Sequence, residues 1–151
     1  MSFLNELINT ENDGILREEL QERVAIVSHK IKFMDKVHVV CLDTLNMQNL
    51  LLADEINEAG GILDTDILGA VYIVYYQPGK TLNDLMREVP SLLDVNWPAV
   101  KNGRIILLND DVNKLQTPTN AVLLVEDFAE MIHPGYFVFG GEGDKWIRFS
   151  V

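Results

Sequence analysis

The sequence predicts a three-layer α/β sandwich built on a mostly parallel central sheet, with a long N-terminal helix and a C-terminal edge hairpin. Three observations predict it. The runs at 37–42, 70–76 and 104–108 are β-branched or aromatic and apolar almost throughout, as parallel strands covered on both faces must be. Segments with helical spacing alternate with these runs. The tail after His133-Pro134 breaks the alternation, carrying two short apolar stretches around a glycine-rich turn.

Residues 14–34 read as a spine helix. Asn12 or Asp13 can cap its free N–H groups, and Glu18 and Glu19 lie near the positive end of its dipole. Leu16, Leu20, Val24, Val27, Ile31 and Met34 fall on one continuous stripe. The first strand, 37–42, ends at Asp43-Thr44, and an amphipathic helix is expected from Leu45 to Ala59, stopped by Gly60-Gly61. Ile62-Leu63 is a short edge strand. The stretch 61–70 that follows is too short for the helical crossover that normally joins parallel strands. After the strand at 70–76, Pro78-Gly79 turns the chain, and Thr81 with Asp84 forms a capping box for a helix reaching about Leu93. Asn102-Gly103 makes a tight turn into the strand at 104–108. A loop at 109–118 leads to a helix at 119–132. The tail, 136–139 and 145–149, reads as a β-hairpin or two edge strands. The whole is a single Rossmann-like domain, 1–151: an N-terminal arm (1–13), the spine helix, an α/β lobe (35–134) and C-terminal strands (135–151).

Composition narrows the functions. A formal net charge of −11 makes nucleic acid and anionic membrane surfaces poor partners. Cys41 is the single cysteine, which excludes an intramolecular disulfide, and its apolar run marks it as a small buried hydrophobe. No run approaches the ~20 apolar residues of a membrane span, and the first residues lack a basic and then apolar leader, so a cytoplasmic location is expected. His29, His38 and His133 share no ligand-like spacing, and no metal or cofactor is expected. His133, at a helix end, is explained by the helix dipole and the following proline. A nucleophile elbow, a phosphate loop and a dinucleotide fingerprint are all missing, so no catalytic residues are expected and an enzyme is not predicted.

Trp97-Pro98-Ala99-Val100-Lys101-Asn102-Gly103-Arg104-Ile105 resembles a motif of the ABC-importer substrate-binding proteins for cobalamin and ferric chelates. Glu126-Asp127-Phe128-Ala129-Glu130-Met131-Ile132-His133-Pro134 is similar to the closing helix of that family, and 39–43 resembles the first strand of its C-terminal lobe. The spine helix resembles the helix that bridges its two lobes. The likeness covers roughly 15–136 and implies one lobe of a two-lobed fold, because residues 1–13 are too few for another.

Ligands of open α/β sheets bind at the carboxyl ends of the strands. Here those ends supply Asp43, Thr44 and Asn46, then Tyr75, Tyr76 and Gln77, then Asn109, Asp110 and Asp111. Tyr75 and Tyr76 point to opposite faces of the sheet, so one of them at most reaches the rim. Two functions are expected. The first is a non-catalytic interaction module that self-associates as a homodimer, through Leu16, Leu20, Val24, Val27 and Ile31 left bare by the missing lobe. The alternative is a corrinoid or ferric-chelate binder whose half-site is completed by a dimer mate or partner chain.

Overall fold

The computed structural model describes residues 3–110 and 117–149. Five strands, β1 (Val37–Leu42), β2 (Gly61–Leu63), β3 (Tyr72–Tyr75), β4 (Ile105–Leu108) and β5 (Trp146–Phe149), form one sheet in the order β2-β1-β3-β4-β5. The first four are parallel, and β5 closes one edge antiparallel to β4, with Leu108 opposite Trp146.

Strand periodicity builds both cores. Val39 and Cys41, Tyr72 and Val74, and Ile106 and Leu108 face one side of the sheet. Val40 and Leu42, Ile73 and Tyr75, and Ile105 and Leu107 face the other. The first side is covered by α1 (Phe3–Asn9), α2 (Gly14–Ile31), α3 (Ala53–Glu58) and α6 (Pro118–Ile132). The second is covered by α4 (Leu82–Glu88), α5 (Pro98–Lys101) and two 3₁₀ turns, Ile67–Gly69 and Pro90–Leu92. This is the three-layer α/β architecture expected from the alternation of elements.

Local signals act where they were read. The Asp13 carboxylate accepts from the N–H groups of Ile15 and Leu16 at 3.0 and 3.2 Å and starts α2. Thr81 and Asp84 form a reciprocal capping box on α4. Gly60, at φ +90°, ends α3, and a Cβ there would lie 2.8 Å from His133 Nε2. The link from β2 to β3 carries only a 3₁₀ turn, as its length requires.

Other expectations are corrected. The N-terminal arm holds α1, whose Leu4 and Ile8, one turn apart, enter the core. The spine helix stops at Ile31, short of Met34, and Lys32 to Met34 form a turn. The helix expected at 45–59 shrinks to α3. The Asp43 carboxylate accepts from the N–H groups of Leu45 and Met47 at 2.8 and 3.0 Å, and Asn46 sits at φ +57°. The Asn49 N–H then donates to Cys41 O at 2.9 Å, which folds the chain back beside β1. The helix expected to reach Leu93 ends at Glu88, and Pro90 opens a 3₁₀ turn.

The C-terminal hairpin is also corrected, to one strand. Residues 136–139 do not pair as a strand, because the Glu130 carboxylate gathers the segment that follows them. It accepts from the N–H of Phe139, from Gly140 N at 2.9 Å, from Gly141 N at 3.1 Å and from Trp146 Nε1 at 3.0 Å. Burial raises the carboxyl's affinity for a proton, but these four donors outweigh it and hold Glu130 below the ordinary carboxylate range. A second ionic tie lies alongside: Arg23 of α2 forks onto both carboxylate oxygens of Glu126 in α6.

Candidate functional site

The carboxyl ends of β1, β3 and β4 meet at one edge of the sheet, and the residues expected there come together. Most of them are occupied with one another. Gln77 Oε1 accepts from the N–H of Thr44 at 3.1 Å and also from the Thr44 hydroxyl. The Tyr75 hydroxyl donates to Asn46 Oδ1 at 2.7 Å, while Asn46 Nδ2 donates to Leu92 O at 2.9 Å. Asp110 is buried, accepts from Gly79 N at 2.9 Å, and bonds to the Tyr76 side chain. Asn109 Oδ1 accepts from Leu82 N at 3.0 Å, and Asp43 closes its own loop. Asp111 lies outside the described residues.

The two tyrosines divide between the faces of the sheet. Tyr75 is fully buried in the α4–α5 layer, and burial raises its hydroxyl above the ordinary phenol value. Tyr76 packs toward the α6 layer; burial first, then the Asp110 carboxylate, push it up to about 12. Both stay neutral phenols at physiological pH, hydrogen-bonding groups without charge.

What sequence reading missed at this edge is the apolar part. Between β1 and α3, Leu45, Met47, Leu50 and Leu51 are 77%, 61%, 62% and 68% exposed. In the helix expected over 45–59, half of such residues would face the core. Instead the loop is pinned from four sides, and these side chains point away from it. Asn49 Nδ2 donates to Tyr76 O at 3.1 Å and Gln48 Nε2 to Thr65 O at 3.0 Å, in addition to the Thr44 and Asn46 bonds. The run Leu50-Leu51-Leu52 beside Asn46 and Asn49 was the available signal: three leucines in a row cannot all be buried on one helix face.

The stripe expected to form a dimer interface lies inside the chain's own fold. Leu20 and Val27 are fully buried and Val24 nearly so, packed with α6, and Leu16 and Ile31 rest half-buried against the same core. The physical reason is the closing helix, whose Ala121, Val122, Val125 and Phe128 supply the apolar face that α2 requires. No bare apolar stripe remains on α2 to motivate pairing.

At the opposite end of the sheet a cleft of about 260 Å³ opens between the end of α2 and the start of β1. Lys32, Lys36, Asn57, Glu58 and His133 line it. His133 is buried and donates from Nε2 to Ala59 O at 2.8 Å. Burial lowers its proton affinity and outweighs that bond, so the ring is neutral, and the helix dipole alone does not account for it. Cys41 is fully buried, and its thiol is pushed up to about 12 by burial and then by Asp43. Among the described residues no three His, Cys, Asp or Glu side chains gather as a metal site, and no helix is long and apolar enough to cross a membrane.

No protein-family model matches the sequence, and no curated protein matches it. Solved structures do match the fold. An ABC transporter substrate-binding protein from Listeria monocytogenes superposes with a TM-score of 0.60 at 16% identity, over 78% of this chain and 55% of its own. The fold is that of the ABC-transporter substrate-binding proteins. Helicobacter pylori Ceue, solved with Ni(II) bound, superposes at 0.59 with 17% identity, over 80% of this chain and 45% of its own. An ABC transporter solute-binding protein from Sulfurospirillum deleyianum superposes at 0.58 with 11% identity, over 83% and 46%. The chain thus spans about half the length of the structures it matches, consistent with a single lobe of that fold.

Proposed function

We propose that this chain is a non-catalytic protein-interaction module that docks through the β1–α3 loop at the carboxyl edge of its sheet. One observation carries this reading: Leu45, Met47, Leu50 and Leu51 stand exposed on a loop held by its backbone to Cys41 O of β1 and to the Gln77 side chain, and by its Gln48 and Asn49 side chains to Thr65 O and Tyr76 O. A floppy loop can turn leucines inward, but one pinned in this way holds them in water, at a cost that a covering partner removes. The location agrees with the fold. In open α/β sheets binding takes place at this edge, and the matched structures are named for binding.

A small-molecule half-site for a corrinoid or ferric chelate competes for the same edge. The hydrogen bonds count against it, since the polar groups that would orient such a ligand already have partners within the chain. Self-association through α2 loses its motive with the burial of Leu20, Val24 and Val27.

Photocrosslinking tests the docking reading. A benzophenone amino acid placed at Leu50 or Leu51 in the full chain, in its native host, is expected to yield a discrete polypeptide adduct. The same probe at exposed Glu22 on α2 is not. Adducts that are absent, or equal at both sites, refute docking at this loop. Calorimetric heats with cobalamin or a ferric chelate that survive Leu50→Ser/Leu51→Ser would favour the half-site instead.

A further inference from the structure

Resting on that reading, we infer that the partner of the β1–α3 loop is a basic, amphipathic protein segment. The charge pattern around the loop decides this. No lysine or arginine occurs between Lys36 and Lys80, although Asp43, Asp54, Asp64 and Asp66 do. Lys80 itself is paired with Glu88 at 3.0 Å.

The structure draws three exposed acids around the leucines, Asp54, Asp66 and Asp94, while Asp64 is paired with His38 at 3.0 Å and Asp43 is engaged within the loop. Asp54 is exposed in the first turn of α3, two residues after Leu52. The bond from Gln48 to Thr65 O places exposed Asp66 beside the loop. The bond from Asn46 to Leu92 O draws in the turn that carries exposed Asp94. An apolar patch ringed by carboxylates is complementary to apolar side chains flanked by lysine or arginine.

The same ring disfavours other occupants. A second copy would set Asp54, Asp66 and Asp94 against one another across the interface, in a chain that already carries a net charge of −11. Nucleic acid and anionic lipid are repelled for the same reason. A segment whose apolar residues sit on the leucines, and whose cations reach the surrounding aspartates, satisfies both parts of the surface.

Fluorescence anisotropy with three synthetic helical peptides of equal length tests this on the full chain. One carries leucine and lysine, one leucine and glutamate in the same pattern, and one lysine and serine. The leucine–lysine peptide is expected to bind at least about tenfold tighter than either control at ~0.1 M salt, and to weaken as salt rises. Leu50→Ser/Leu51→Ser should cost it about tenfold or more, and Asp54→Asn/Asp94→Asn several-fold, with unchanged circular dichroism. If the glutamate peptide binds as well as the lysine one, and both are lost in the leucine variant, the basic partner is refuted while docking at the loop stands. If no leucine peptide binds, or binding ignores the leucine variant, the docking surface itself falls. Sedimentation that shows a dimer broken by Leu50→Ser/Leu51→Ser would overturn the choice of partner in favour of a second copy.

Discussion

Glu130→Gln removes the charge that gathers the N–H groups of residues 139–141 and the Trp146 indole onto α6, with almost no change in shape. The wild-type carboxylate accepts from three backbone N–H groups and the Trp146 indole. A glutamine keeps a single acceptor oxygen and turns an NH₂ group toward the remaining donors. Hydrogen bonds to a charged acceptor are each worth about 1.5–3 kcal/mol, and a buried donor left unpaired costs about 1–3 kcal/mol. With roughly two of the four donors stranded and some relaxation of the tail, the loss is about 3 kcal/mol, or a fall in Tm of ~6–12 °C for a domain of this size. Urea unfolding followed by tryptophan fluorescence measures it, since Trp146 is buried against the same carboxylate. The pH dependence sharpens the test. Glu130 is held below its ordinary value in the fold, so its contribution is fully present above that ordinary value and is lost as pH falls through the folded one. The difference between wild type and variant therefore begins to close as pH falls below the ordinary glutamate value of about 4.3 and vanishes only below the folded value, where both side chains are neutral. A loss under about 1 kcal/mol at neutral pH, or a difference that stays constant into acid, refutes the assignment of charge as the cause.

Arg23→Met leaves the Glu126 carboxylate largely buried without its fork and should cost about 2–4 kcal/mol, whereas Arg23→Met/Glu126→Leu should recover most of it; chemical denaturation of the full cycle measures both. Asn46→Ala loses the bonds to the Tyr75 hydroxyl and Leu92 O and places alanine at φ +57°, so a loss of about 2 kcal/mol is expected, with faster amide exchange across residues 43–52. His133 has its folded proton affinity lowered by burial, so the unfolded chain binds the proton more readily and stability falls as pH drops below the ordinary histidine value near 6.5. NMR titration of its ring protons should give a midpoint below that value, and a midpoint above it would contradict the buried neutral ring.

Wherever short-range chemistry suffices, the sequence by itself determined the outcome. Runs of branched and aromatic residues can satisfy their backbone only in a sheet and their side chains only between two layers, so β1, β3 and β4 were legible. The Asp13 cap, the Thr81–Asp84 box and the Gly60 stop act over one helical turn, and each could be read locally. The family likeness was carried by residues 97–105, which here form α5, the turn at Gly103 and the start of β4.

Tertiary structure alone decided the rest, because the deciding partners are distant in the chain. An apolar stripe on a helix states that it will be covered, but not by what. α6, about a hundred residues on, covers α2, with Arg23 and Glu126 as the ionic tie between them, |i−j| = 103. The tail reads as a hairpin until Glu130 captures three of its N–H groups from another element. Residues 45–52 have helical composition, yet Asp43 turns the chain locally and Asn46 and Asn49 bond to a backbone that only the assembled sheet brings near. The proposed site lies in that loop, and its leucines are exposed because bonds to Thr65, Tyr76, Gln77 and Leu92, all distant in sequence, already hold it.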